Sequence, residues 1–99
     1  MQVQNTSDLS IFMDRLKEWA KNHQDLRILR AIQTAEQNSM TASELIVRYA
    51  ETLRELKPFL PESLPSSFLE NWDMAIRIGL DAVETVHYVE KERSIFSLG

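Results

Sequence analysis

Apolar side chains recur along this chain at helical spacing in four separate runs. In the first, Leu9, Phe12, Met13, Leu16, Trp19 and Ala20 fall on one stripe, while Ser10, Asp14, Lys17, Glu18 and Lys21 face water. Ser7 or Thr6 serves as its N-cap, with Asp8 in the first turn where the helix dipole favours a carboxylate. This predicts a helix over about 7–22, with Ile11 on its wet face and the polar residues 1–6 frayed ahead of it. Asn22-His23-Gln24-Asp25 then turns the chain, and Asp25 caps a second helix over 25–38. Its inward positions are Leu26, Ile28, Leu29, Ile32 and Ala35. So short a connection makes the first two helices antiparallel neighbours.

The third run carries the sharpest local signal. Thr41 and Glu44 form a capping box, and Met40 and Leu45 stand where a hydrophobic staple would close. Leu45, Ile46, Tyr49, Ala50, Leu53 and Leu56 make the stripe of a helix over 42–57, with Val47 outside it. Pro58 ends it. The crossover 58–66 holds three prolines, which forbid regular helix, and its Phe59, Leu60 and Leu64 predict that it packs across the bundle. Ser67 and Glu70 give a second capping box.

The helix this opens, over 67–92, is apolar around an arc of about 240°, more than a one-sided surface helix needs. Phe68, Trp72, Ala75, Gly79, Val83 and Val86 mark the middle, Leu69, Ile76 and Leu80 one flank, and Met74, Ile78, Ala82 and Val89 the other. Such a helix is central. Glycine inside a helix costs about 1 kcal/mol against alanine, so Gly79 on the apolar arc predicts a close helix approach. An apolar tail, 94–99, that is not obviously helical, follows. The fold expected is all-α: one compact four-helix bundle-like domain, 1–99, with a long central C-terminal helix.

Composition narrows the function more than it names it. The 99 residues are 43% hydrophobic and 26% charged, an ordinary globular balance. There is no cysteine, which removes disulfides and thiolate chemistry, and the two glycines, Gly79 and Gly99, cannot make a phosphate-binding loop. The N-terminal residues resemble no signal peptide, and Asp73, Arg77, Asp81 and Glu84 interrupt the longest apolar stretch, so a soluble, cytoplasmic protein without a membrane span is expected. The net charge of −4 is uneven: residues 1–57 balance eight Lys/Arg against eight Asp/Glu, whereas 58–99 hold three against seven. An acidic surface repels phosphate backbones and suits a basic protein partner.

Three candidate chemistries remain. Glu84-x-x-His87 has the spacing of a di-metal bundle, but His23 has no glutamate three residues before it, and Glu84 falls on the polar strip. A boundary histidine is the reading taken, with neither metal nor cofactor. The carboxylate pairs Glu51/Glu55 and Asp81/Glu84 lie on solvated faces, and the serines sit at helix starts; no enzyme is expected. Leu26 to Ile32 followed by Ser39 to Ile46, with its Thr41-Ala42-Ser43-Glu44-Leu45, is similar to the opening of many winged-helix regulators. That resemblance implies DNA binding by the second and third helices, with Arg27, Arg30 and Arg48 touching phosphates. The chain departs from it in the length of the third helix and in lacking a basic recognition helix and a glycine-tipped wing.

Surplus apolar side chains are the remaining feature: Ile11, Val47, Ile95, Phe96 and Leu98 exceed the needs of one small bundle. The expectation is a non-enzymatic interaction module, a small regulator, inhibitor or adaptor. Tyr88, Ile95, Phe96 and Leu98 are its contacts to a protein partner or to a second copy in a homodimer.

Overall fold

The computed structural model describes the backbone of residues 2–98 and the side chains of residues 2–82. Four helices follow in order: α1 (Thr6–Asn22), α2 (Leu26–Gln37), α3 (Ala42–Leu56) and α4 (Ser66–Leu98), with a 3-10 turn at Lys57–Phe59 after α3. The all-α bundle expected from the sequence is the fold observed.

The start of α1 lies earlier than Ser7 or Thr6. Asn5, in extended conformation, accepts the Asp8 N–H at 2.8 Å, and the Asp8 carboxylate accepts the Gln4 N–H at 3.0 Å. Asparagine caps at least as well as serine or threonine, so the cap forms at Asn5, with the returning Asp8 bond made to the residue before it. Nor are residues ahead of it all frayed: Val3 is 3% exposed and belongs to the core. The α1 stripe is buried as expected, with Trp19 half-buried at its end and Ile11 exposed.

One residue both ends α1 and begins α2. The Asp25 N–H donates to Ala20 O at 2.8 Å and the Gln24 N–H to Lys21 O at 3.3 Å, the two bonds of a Schellman ending, with Gln24 at φ 56° in the left-handed place usually given to glycine. The Asp25 carboxylate then accepts the Ile28 N–H at 3.1 Å as the cap of α2. Ile28, Ile32 and Ala35 face the core. Leu26, expected inside, is exposed; it stands roughly 160° from Ile28 around the helix, too far to share its face.

At α3 the Thr41 hydroxyl accepts the Glu44 N–H at 3.1 Å, as the capping box requires. The returning Glu44 carboxylate goes to the Met40 N–H, also at 3.1 Å, one residue before the expected one. Met40 is 91% exposed, so the staple with Leu45 does not form. Tyr49, Ala50, Leu53 and Leu56 are buried. Pro58 does not stop the chain curling: it occupies the first turn of the 3-10 segment, where its missing N–H leaves no bond unmade. Leu64 of the crossover is buried and Leu60 half-buried, but Phe59 is 61% exposed, under the Arg27 guanidinium at 5.0 Å from its ring centre.

Helix α4 starts at Ser66, which puts Ser67 inside the first turn instead of at the cap. Its bounds run past the expected end near 92 and take in 94–98, which the sequence does not mark as obviously helical. Its broadest contact is with α3, which also touches α1 and α2; α4 touches α1 as well. The middle of its arc is covered: Trp72, Ala75 and Gly79 are buried, while Leu69 and Met74 on the flanks are exposed. At Gly79 the backbone lies so close to α3 that an added Cβ would collide with Ala50 Cβ and meet Ile46 O at 3.0 Å. The close approach expected of that glycine is present. Trp72 locks the same seam, its indole N–H donating to Leu53 O at 2.8 Å in the interior. Leu53 opposite Trp72 and Ile46 to Ala50 opposite Gly79 make α3 and α4 antiparallel.

Candidate functional site

Two surfaces and one internal network hold the chemistry of this chain. The first surface follows from the α3–α4 register. Because α3 begins at Ala42, one turn before Ile46, it has a single turn left to set against the α4 sequence after Gly79. That sequence still carries Val83, Val86, Tyr88, Val89, Ile95, Phe96 and Leu98. The candidate contacts Tyr88, Ile95, Phe96 and Leu98 lie outside the described residues, as do Glu84 and His87 of the metal-type spacing. Among the described residues no group of three or more His, Asp or Glu is placed to hold a metal ion.

The internal network joins three helices. Lys17 Nζ of α1 contacts both carboxylate oxygens of Glu36 of α2, at 3.0 and 2.7 Å, and the Tyr49 hydroxyl of α3 donates to Glu36 Oε2 at 2.8 Å. Lys17 and Glu36 are half-buried and Tyr49 is 3% exposed. Burial, with the Glu36 hydrogen bond and the negative charges of Glu36 and Asp14 behind it, pushes the Tyr49 phenol above its ordinary range. A neutral hydroxyl held by a carboxylate that is itself held by an ammonium is a tie between helices. Sequence reading placed Lys17 on the wet face and left Glu36 without a role, because the partners are 19 and 13 residues apart and no local spacing links them.

The second surface is the seam between α2 and α3, where a groove of about 300 Å³ is lined by Ala31, Thr34 and Ala35 on one side and Arg48, Glu51 and Glu55 on the other. Glu55 is exposed as expected, whereas Glu51 is half-buried in the groove wall. The three arginines singled out for phosphate contact are therefore split in role. Arg27 stacks on Phe59, Arg30 is exposed, and Arg48 shares its groove with two glutamates. His23, also exposed, stacks on Trp19 with ring centres 4.5 Å apart, and its Nδ1 lies 2.9 Å from Trp19 O.

Among the described residues no helix is long and apolar enough to cross a membrane. No family model, no curated protein and no solved structure matches the chain.

Proposed function

We propose that this protein is a non-enzymatic helical interaction module that works by binding a protein partner through the part of α4 beyond Gly79, with Tyr88, Ile95, Phe96 and Leu98 as contacts. The observation that carries the reading is the mismatch along the α3–α4 seam. At Gly79 the seam has one turn of α3 left, and the α4 sequence that follows is rich in apolar residues. Apolar surface beyond what a fold can cover marks an interaction site. The acidic excess of 58–99 points to a basic partner.

The catalytic side of the sequence offers little against this, with no cysteine and no glycine loop. DNA binding by α2 and α3 is less well supported, since Arg27 is engaged by Phe59 and Arg48 lines the same groove wall as Glu51 and Glu55.

The test changes Ile95, Phe96 and Leu98 together to serine. Affinity capture and size-exclusion chromatography with light scattering are then compared with the intact chain. The expected result is loss of a specific basic partner, or of a dimer, with the helical circular dichroism kept. An unchanged partner set and unchanged mass would overturn the proposal.

A further inference from the structure

The groove between α2 and α3 stays open because of what α2 brings to it. Ala31 and Ala35, one turn apart, offer only methyl groups, and about 300 Å³ is left unfilled between the helices. Buried Ala35 and Leu56 give the groove an apolar base. Thr34, Asn38 and Thr52 add neutral hydrogen-bonding groups to its lining. Its volume lies at the small end of the range for ligand pockets.

The charges in the groove are ordered along it. Arg48, Glu51 and Glu55 follow one another on one face of α3, all three lining the space. The axial rise is about 4.5 Å from the first to the second and about 6 Å from the second to the third. The short α2–α3 connection and the Glu36–Tyr49 bond set α2 antiparallel beside them, with Asn38 at the Arg48 end and Ala31 at the Glu55 end. Among the described residues no ion pair or hydrogen bond engages the side chain of Arg48, Glu51 or Glu55. Glu51 is half-buried in the wall, where a bound cation is partly screened from water.

We propose that this groove binds a free basic amino acid of the lysine or arginine class, stretched along α3. Its carboxylate pairs with Arg48, its α-ammonium with Glu51 one turn on, and its side-chain cation with Glu55. The aliphatic stem lies over Ala35 and Leu56. One cation and two anions on the wall thus meet one anion and two cations on the ligand. A dicarboxylate or a phosphate ester would set charge against the glutamates, and a diamine would leave Arg48 unanswered. The groove is separate from the α4 sequence beyond Gly79, and the proposal stands whether or not that sequence binds a partner.

The test titrates the full chain, labelled with nitrogen-15, with lysine up to tens of millimolar at fixed pH and ionic strength. Backbone amides of Thr34, Asn38 and Thr52 are the reporters. Norleucine, which lacks the side-chain cation, and cadaverine, which lacks the carboxylate, are titrated beside it. The expected result is saturable movement by lysine, with each analogue weaker by about fivefold. Arg48→Gln should weaken lysine by a similar factor without weakening cadaverine, and Glu55→Gln should bring lysine down to the level of norleucine. Arg48 and Glu55 are exposed, so neither substitution disturbs the core. No saturable movement, equal binding of all three compounds, or lysine binding indifferent to both substitutions would overturn the proposal.

Discussion

The two long seams of α3 are built by opposite means. Against α4 it is dry inside and specified by shape: Gly79 admits Ala50, and the buried Trp72 indole is satisfied by a main-chain carbonyl, with the exposed Lys57–Asp73 ion pair at the end of the seam. Against α2 it is specified by polar partners, with Glu36 gathering Tyr49 and Lys17, and alongside it lies an open groove. Shape fixes how near two helices come and tolerates no added atom. Polar pairing fixes which faces meet and tolerates some looseness, since half-buried Lys17 and Glu36 keep contact with water. One helix thus uses packing to set distance on one side and charge to set identity on the other.

The contrast can be broken most strongly at Trp72. Trp72→Ala removes the largest buried side chain of the dry seam, and a loss of about 3–5 kcal/mol is expected in urea unfolding. Gly79→Ala is smaller and more telling. Helix propensity favours alanine by about 1 kcal/mol, yet the new methyl meets Ala50, so a net loss of about 1–2 kcal/mol is expected, recovered in part by adding Ala50→Gly. A stabilising Gly79→Ala would show that the seam yields, and the claim of shape specification would fall.

The polar side gives the smallest effect and a pH signature. Tyr49→Phe should cost about 1 kcal/mol at neutral pH, since Glu36 retains Lys17. The folded Tyr49 titrates above the unfolded phenol, whose pKa is 10.0. Its contribution is therefore fully present below pH 10 and is lost as pH rises from there toward the folded value. Stability measured from pH 9 to 11 should fall more steeply in the original chain than in Tyr49→Phe. Parallel curves would mean that the hydroxyl is not held as described.

The periodic part of this fold was legible in the sequence. Stripes on α1 and α3, the caps at Asp25 and Thr41, and the close approach at Gly79 all follow from spacing and residue type, because each is decided within a turn or two of helix. What escaped depends on where neighbouring chain happens to pass. Leu26, Met40 and Phe59 look like core residues by hydrophobicity, but stand where a helix begins or a turn swings outward. Val3 looks like part of a frayed end, and is buried because Asn71, 68 residues away, offers an acceptor. The Lys17–Glu36–Tyr49 tie was invisible for the same reason. The candidate partner contacts rest on the apolar surplus of the sequence and lie outside the described residues.

Asp25 also bears on the order in which the chain can fold. Its N–H closes the end of α1 and its carboxylate opens α2, so the corner between them is encoded within six residues, Ala20 to Asp25, and three more to Ile28. Contacts so close in sequence cost little chain entropy to form, and the α1–α2 hairpin can assemble before anything else is in place. The Val3–Asn71 bond is its opposite, closing a loop between residues 68 apart, and its closure costs more chain entropy.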